Sequence, residues 1–202
     1  MNFLYPILIA FLLVFISELG DKTQLLVLSF SSKLKASTIL LGVAVGSLFS
    51  HGIAILFGSS IGLLENELVH NILQFVTYFS FIVFGILSFL PEKHKRENNK
   101  KDNILIKLSK IGIGYILIIA ISIAVGELGD KTFLASIGLG ISYPHQKLFL
   151  ILGAILGMVL SDMIAILFGR FLYSKIPEKT ISRLSGFLFI VFGFIGFIKL
   201  FI

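Results

Sequence analysis

The sequence has no cysteine. That excludes a disulfide framework, a thiolate metal centre and cysteine catalysis, and it leaves the redox compartment open. Charge is scarce too. Asp, Glu, Lys and Arg make up 14% of 202 residues, hydrophobic residues 56%, and the mean hydropathy is +1.02. A soluble domain of this length has no interior large enough for that much apolar surface, so the composition points to the lipid bilayer as solvent. The opening MNFLYPILIA carries no basic n-region and no small-residue cleavage site follows it, so no removable signal peptide is expected. No nucleophile–base pair and no cofactor motif can be found, which argues against an enzyme and against a resident cofactor. The net charge of +6 would suggest nucleic acid in a soluble protein. Here the basic residues cluster between apolar runs, where they report topology instead, and no nucleic-acid partner is expected.

What the sequence has is long apolar runs, at about 3–30, 38–64, 70–90, 111–142, 147–173 and 184–202. Each reaches the roughly 20 residues a transmembrane helix needs. The reading is an all-α polytopic membrane protein with six transmembrane helices. The hydrophilic stretch PEKHKRENNKKDN and the mixed ILIKLSK after it divide the chain. The organisation expected is therefore 1–90, a charged linker 91–110, and 111–202.

The two halves are alike. ELGDKT occurs at 18–23 and again at 127–132. GVAVGSLFSHGIAILFG (42–58) matches GAILGMVLSDMIAILFG (153–169), and FIVFG occurs at 81–85 and 189–193. The matches are collinear, so each half is one copy of a three-helix repeat. Three crossings are odd in number, so the second repeat starts on the opposite side from the first and is inverted. Inverted repeats around a midplane site are an architecture of secondary transporters. The loops between helices 1–2, 3–4 and 5–6 carry thirteen Lys and Arg, and the opposite side carries only Lys147 and Lys199. This places the central basic loop in the cytoplasm and both termini outside.

The repeated motif puts acids in the oiliest segments. A carboxylate inside a bilayer must be paired, protonated or bound to a cation. On a continuous helix the three-residue spacing sets Glu18 and Asp21 on one face, and likewise Glu127 and Asp130. Gly20 and Gly129 lie between them as candidate helix breaks that free a carbonyl. Thr23 and Thr132 add hydroxyls about one turn on. Brought together by pseudo-symmetry, the two copies would form an oxygen-rich cage, suited to hard divalent cations such as Ca²⁺, Mn²⁺ and Mg²⁺. The absence of Cys and the few central His argue against a site tuned for Zn²⁺ or Cu⁺. Lys22 and Lys131 either pair with an acid and hold the empty site or snorkel to an interface. The plainer reading of the set is a self-satisfied polar knot that ties helices together.

Other polar positions occupy matched places in the second helix of each half, Ser50-His51 and Ser161-Asp162. Asp162 is a fifth intramembrane acid, a candidate proton relay. His51 is a candidate titrating group, with a plain hydrogen bond across helices as the alternative. Gln24 is a candidate ligand with no symmetric counterpart, because its repeat partner is Phe133. The Gly42/Gly46 and Gly153/Gly157 spacings read as helix packing.

Two copies of E-x-G-D-K/R-T/S, each in the first helix of a three-helix half, resemble the second calcium/cation antiporter family. That family includes Golgi and thylakoid exchangers of Ca²⁺ and Mn²⁺ against H⁺ and bacterial manganese exporters. The resemblance covers essentially the whole chain. It implies export of a divalent cation, Mn²⁺ first and Ca²⁺ second, in exchange for protons, with Glu18, Asp21, Glu127 and Asp130 as metal ligands. Lys22, Thr23, Gln24, Lys131, Thr132, Asp162, Ser50, His51 and Ser161 are the supporting or proton-coupling candidates. The chain looks like the short form of the family, which fits a bacterial plasma (inner) membrane. Its partners would be divalent metal ions, protons and lipid, with a homo-oligomer left open. The rivals are a divalent cation channel or uniporter using the same acids as a selectivity ring, and a small organic-solute exporter.

Overall fold

The computed structural model describes residues 4–31, 34–64, 67–89, 114–175 and 178–201. The linker expected at 91–110 and most of the basic loop residues lie outside them. The described residues form eight α-helices and one 3₁₀ turn: α1 (Leu4–Glu18), α2 (Lys22–Ser31), α3 (Ala36–Gly62), α4 (Glu67–Leu87), α5 (Tyr115–Glu127), α6 (Lys131–Ser142), the turn Pro144–Gln146, α7 (Lys147–Lys175) and α8 (Glu178–Phe201). Two stretches, Ala36–Gly62 and Pro144–Phe168, have the length and hydropathy to cross a bilayer unbroken. Shorter apolar helices run over Leu4–Glu18, Asn71–Leu87, Tyr115–Glu127 and Gly186–Ile198.

The first and fourth apolar runs are the ones that break, and they break inside ELGDKT. Gly20 has φ +78° and Gly129 φ +81°, and no other described residue has a positive φ. One residue in the left-handed region ends a right-handed helix, and only glycine adopts it without a Cβ penalty. A new helix begins two residues later in each half. Glu18 and Glu127 are therefore the last residues of α1 and α5, while Asp21 and Asp130 precede α2 and α6. This corrects the expectation that each Glu–Asp pair shares one face of a continuous helix. The break turns the chain between them. A tight turn closes it in each copy, with Asp21 N–H donating to Glu18 O and Asp130 N–H to Glu127 O, both at 3.1 Å.

Packing runs mainly between the halves. α1 lies chiefly against α7, α3 against α5, α6 and α7, and α4 against α8. The first helix pair of each half thus lies against the second long helix of the other, and the third helices pair with each other. The small-residue spacings make this possible. A Cβ on Gly42 would stand 2.7 Å from Ile119 Cβ, and one on Gly46 would stand 2.7 Å from Ala120 O, both on α5. On α7, Gly157 is pressed in the same way against Phe11 O of α1, where a Cβ would stand at 2.7 Å, and Gly153 against Ile7 O. Close backbone approach through small residues is how helices associate where lipid removes the hydrophobic drive between them.

The third helices pack through the repeated pentapeptide. Phe189 is fully buried and meets Phe81 and Phe84 edge-on, with centroids 5.9 and 6.2 Å apart. Outward faces are just as apolar: Leu48, Phe49, Ile53 and Phe57 on α3 and Leu152 and Leu156 on α7 are all exposed. A helix apolar on both faces belongs in a membrane or deep in a large core.

Gly46→Leu and Gly157→Leu should each lower stability by roughly 1–3 kcal/mol, because the added side chain meets backbone that cannot move aside. Gly52→Ala, whose Cβ would meet only Leu48 Cδ1 at 3.5 Å, should be neutral or better. Thermal unfolding of the detergent-solubilised variants checks the contrast.

Candidate divalent cation site

The two breaks bring their glutamates together. One ligand atom each from Glu18, Glu127 and His51 lie within 4.8 Å of one another. Glu18 comes from the end of α1, Glu127 from the end of α5, and His51 from the middle of α3. All three side chains are buried, at 1%, 0% and 0% exposure. Two ligands on opposite sides of one Ca²⁺ stand about 5 Å apart, so the three atoms fit within a single coordination sphere.

These atoms have little else to bond. Glu18 Oε2 accepts a hydrogen bond from Thr23 Oγ1 at 3.3 Å. Among the described residues, Glu18 Oε1, both oxygens of Glu127, His51 Nε2 and Thr132 Oγ1 have no hydrogen-bond partner. An unsatisfied buried polar group costs about 1–3 kcal/mol, and more when charged. So many at one point is the pattern of a site that a cation or protons complete.

Further acids surround the centre. Asp21 and Asp130 are half-buried, and Glu18 interacts electrostatically with both of them as well as with Glu127. Asp162 is fully buried on α7, with neither oxygen hydrogen-bonded among the described residues, and it interacts electrostatically with Glu127 and Asp21. The structure thus gathers all four motif acids, with the glutamates innermost beside His51 and the aspartates at the edge. Lys131 is half-buried at the start of α6. The side chain of Lys22 lies outside the described residues.

The supporting residues divide by role. Gln24 fixes the first break. Its Oε1 accepts from Gly20 N–H at 2.8 Å and its Nε2 donates to Ser161 Oγ on α7 at 2.6 Å. The side-chain oxygen takes a backbone N–H that a continuous helix would have sent to the carbonyl four residues back. Phe133 cannot do this at the second break. Thr23 lies against the opposite motif, its Cγ2 3.2 Å from where a Cβ on Gly126 would stand. Ser50 Oγ donates to Ser47 O at 3.4 Å, within its own helix.

Ser136 was absent from the sequence-derived candidates. Its Oγ lies 2.9 Å from His51 Nδ1 and also 2.9 Å from Thr132 O. It stands four residues after Thr132, on the same face of α6, which is the one signal the sequence offers. Its repeat partner is Val27, so comparing the halves hides it.

The sequence profile of a protein family described as "Divalent cation/proton antiporter GDT1" matches residues 6–96 and 115–201. The chain is 30% identical over 179 residues to a Vibrio cholerae protein named "Putative manganese exporter", covering 88% of this chain and 83% of that protein. It is 24% identical over 193 residues to the GDT1-like protein sll0615 of Synechocystis, covering 92% and 93% respectively. It is 26% identical over 202 residues to the chloroplastic protein PAM71 of Arabidopsis thaliana, covering 91% of this chain and 54% of that longer one. No solved structure matches.

Gln24→Leu keeps the side chain's bulk but removes the acceptor for Gly20 N–H and the donor to Ser161. It should cost roughly 1–3 kcal/mol, seen as a lower thermal midpoint in detergent.

Proposed function

We propose, from the premise that this chain belongs to the GDT1 family of divalent cation/proton antiporters, that it exports a divalent cation from the cytoplasm in exchange for protons. Mn²⁺ is the first candidate and Ca²⁺ the second. Mn²⁺ comes first because one relative carries the name of a manganese exporter. The membrane is the bacterial plasma membrane, with both termini outside.

The observation that carries the reading is the buried cluster of Glu18, Glu127 and His51, with its unpartnered oxygens and nitrogen. Two carboxylates from two different helix breaks meet there. One divalent cation neutralises both, and so do two protons. The site then has the same charge with either cargo, which makes an exchange of two H⁺ per M²⁺ natural. Asp21, Asp130 and Asp162 supply further negative charge along the approach and a relay for protons.

The architecture proposed is six crossings in two inverted repeats. α1 with α2 and α5 with α6 form the two broken crossings, and α3, α4, α7 and α8 the four continuous ones. Its support is the matching of motifs between halves and the equivalent packing of Gly42 and Gly46 on α5 and of Gly153 and Gly157 on α1. Broken helices of this kind place helix ends and freed carbonyls at a midplane site. Alternating rearrangement of the two halves would expose the glutamates first to the cytoplasm, where they capture cation, and then to the outside, where protons displace it.

Proteoliposomes with a pH dye inside, a clamped voltage and an imposed Mn²⁺ or Ca²⁺ gradient test this. The wild type should show cation-driven proton flux. Glu127→Gln removes one of the two innermost charges and should reduce the flux on the order of 100-fold, the equivalent of about 3 kcal/mol of lost cation binding. Cation flux without proton movement would mean a channel or uniporter. No flux of either metal would favour an organic-solute exporter.

A further inference from the structure

We infer that His51 is a direct metal ligand through Nε2, and that this one nitrogen tunes the site for a first-row divalent metal over Ca²⁺. The inference rests on the cation-transport reading above and adds the chemistry of selection.

The argument starts from the hydroxyl of Ser136. It has one hydrogen to give, and Thr132 O accepts it at 2.9 Å. The same oxygen lies 2.9 Å from His51 Nδ1. Assigning that hydrogen to the carbonyl leaves Ser136 Oγ as an acceptor, and on this assignment Nδ1 carries the N–H. A neutral imidazole protonated at Nδ1 has its lone pair on Nε2. Nε2 is buried, has no partner among the described residues, and belongs to a side chain that offers a ligand atom within 4.8 Å of those of Glu18 and Glu127. An imidazole held by a hydrogen bond at one nitrogen and open at the other is the usual arrangement of a metal-binding histidine.

The second half sharpens the point. The residue matched to His51 is Asp162, and the residue matched to Ser136 is Val27. One half supplies a nitrogen ligand and the hydroxyl that orients it. The other half has an acid at the first position and an apolar side chain at the second. Ca²⁺ and Mg²⁺ take oxygen ligands, whereas first-row metals accept imidazole beside carboxylate. A site of two carboxylates and one imidazole therefore discriminates by ligand chemistry.

Pulsed electron paramagnetic resonance on the purified, Mn²⁺-loaded full chain tests this directly. The wild type should show hyperfine coupling to a bound nitrogen. Labelling histidine with ¹⁵N should change that coupling in the ratio of the two nuclear moments. His51→Asp replaces nitrogen by oxygen. It should abolish the coupling and lower the ratio of Mn²⁺ to Ca²⁺ affinity on the order of 10-fold. Ser136→Ala should keep the coupling while weakening Mn²⁺ binding about 10-fold. Bound Mn²⁺ without nitrogen coupling in the wild type overturns the inference and leaves the transport reading standing, and this needs no variant to fold. An unchanged affinity ratio in His51→Asp also overturns it. A wild type that binds neither metal overturns both readings.

Discussion

The cost of holding two carboxylates side by side away from water governs this molecule. Like charges a few ångströms apart in an apolar interior repel strongly, and the two cannot both be ionised there without a counter-charge. Every feature near the centre serves that arrangement. The helices must stop to deliver the glutamates, and a glycine in the left-handed conformation stops each one. The turn that follows needs its backbone groups satisfied. The short Glu–Asp bond does part of this in both copies, and Gln24 does more in the first. The remaining oxygens have no protein partner among the described residues, and in the proposed exchange a cation or a pair of protons meets that demand.

The scaffold around the site answers a different constraint. Lipid is as apolar as leucine, so burial alone does not pull membrane helices together. Close backbone contact does, and the glycine pairs on α3 and α7 provide it at equivalent places. These contacts link the first helix of one half to the second long helix of the other. The glutamates at the ends of α1 and α5 are thereby anchored by helices from opposite halves of the chain.

Much of this was legible in the sequence. Repetition of ELGDKT marked Glu18 and Glu127, and the apolar runs marked the helices. The glycine spacings were read correctly as packing. Gly20 and Gly129 stood out as candidate breaks between Glu and Asp; what the sequence obscured was that the break takes each pair off a common helix face. A three-residue spacing implies a shared helical face, and only the positive φ of Gly20 and Gly129 cancels that implication. Nor did comparing the halves reveal the part played by Ser136, whose partner Val27 is apolar. Beside the two glutamates the structure places a histidine, because a scarce residue type can still sit at the centre. Scarcity is a property of the whole chain, and a binding site samples only a few positions.

The lock made by Gln24 carries one more implication. In the inverted-repeat architecture proposed above, two identical halves would give an alternating transporter two end states of equal energy, related by a two-fold axis in the membrane plane. Gln24 ties the first break to Ser161, and Phe133 offers nothing comparable at the second. That lifts the degeneracy. In the proposed cycle the two end states then differ in energy by whatever this lock contributes, so the two directions of opening are not equivalent.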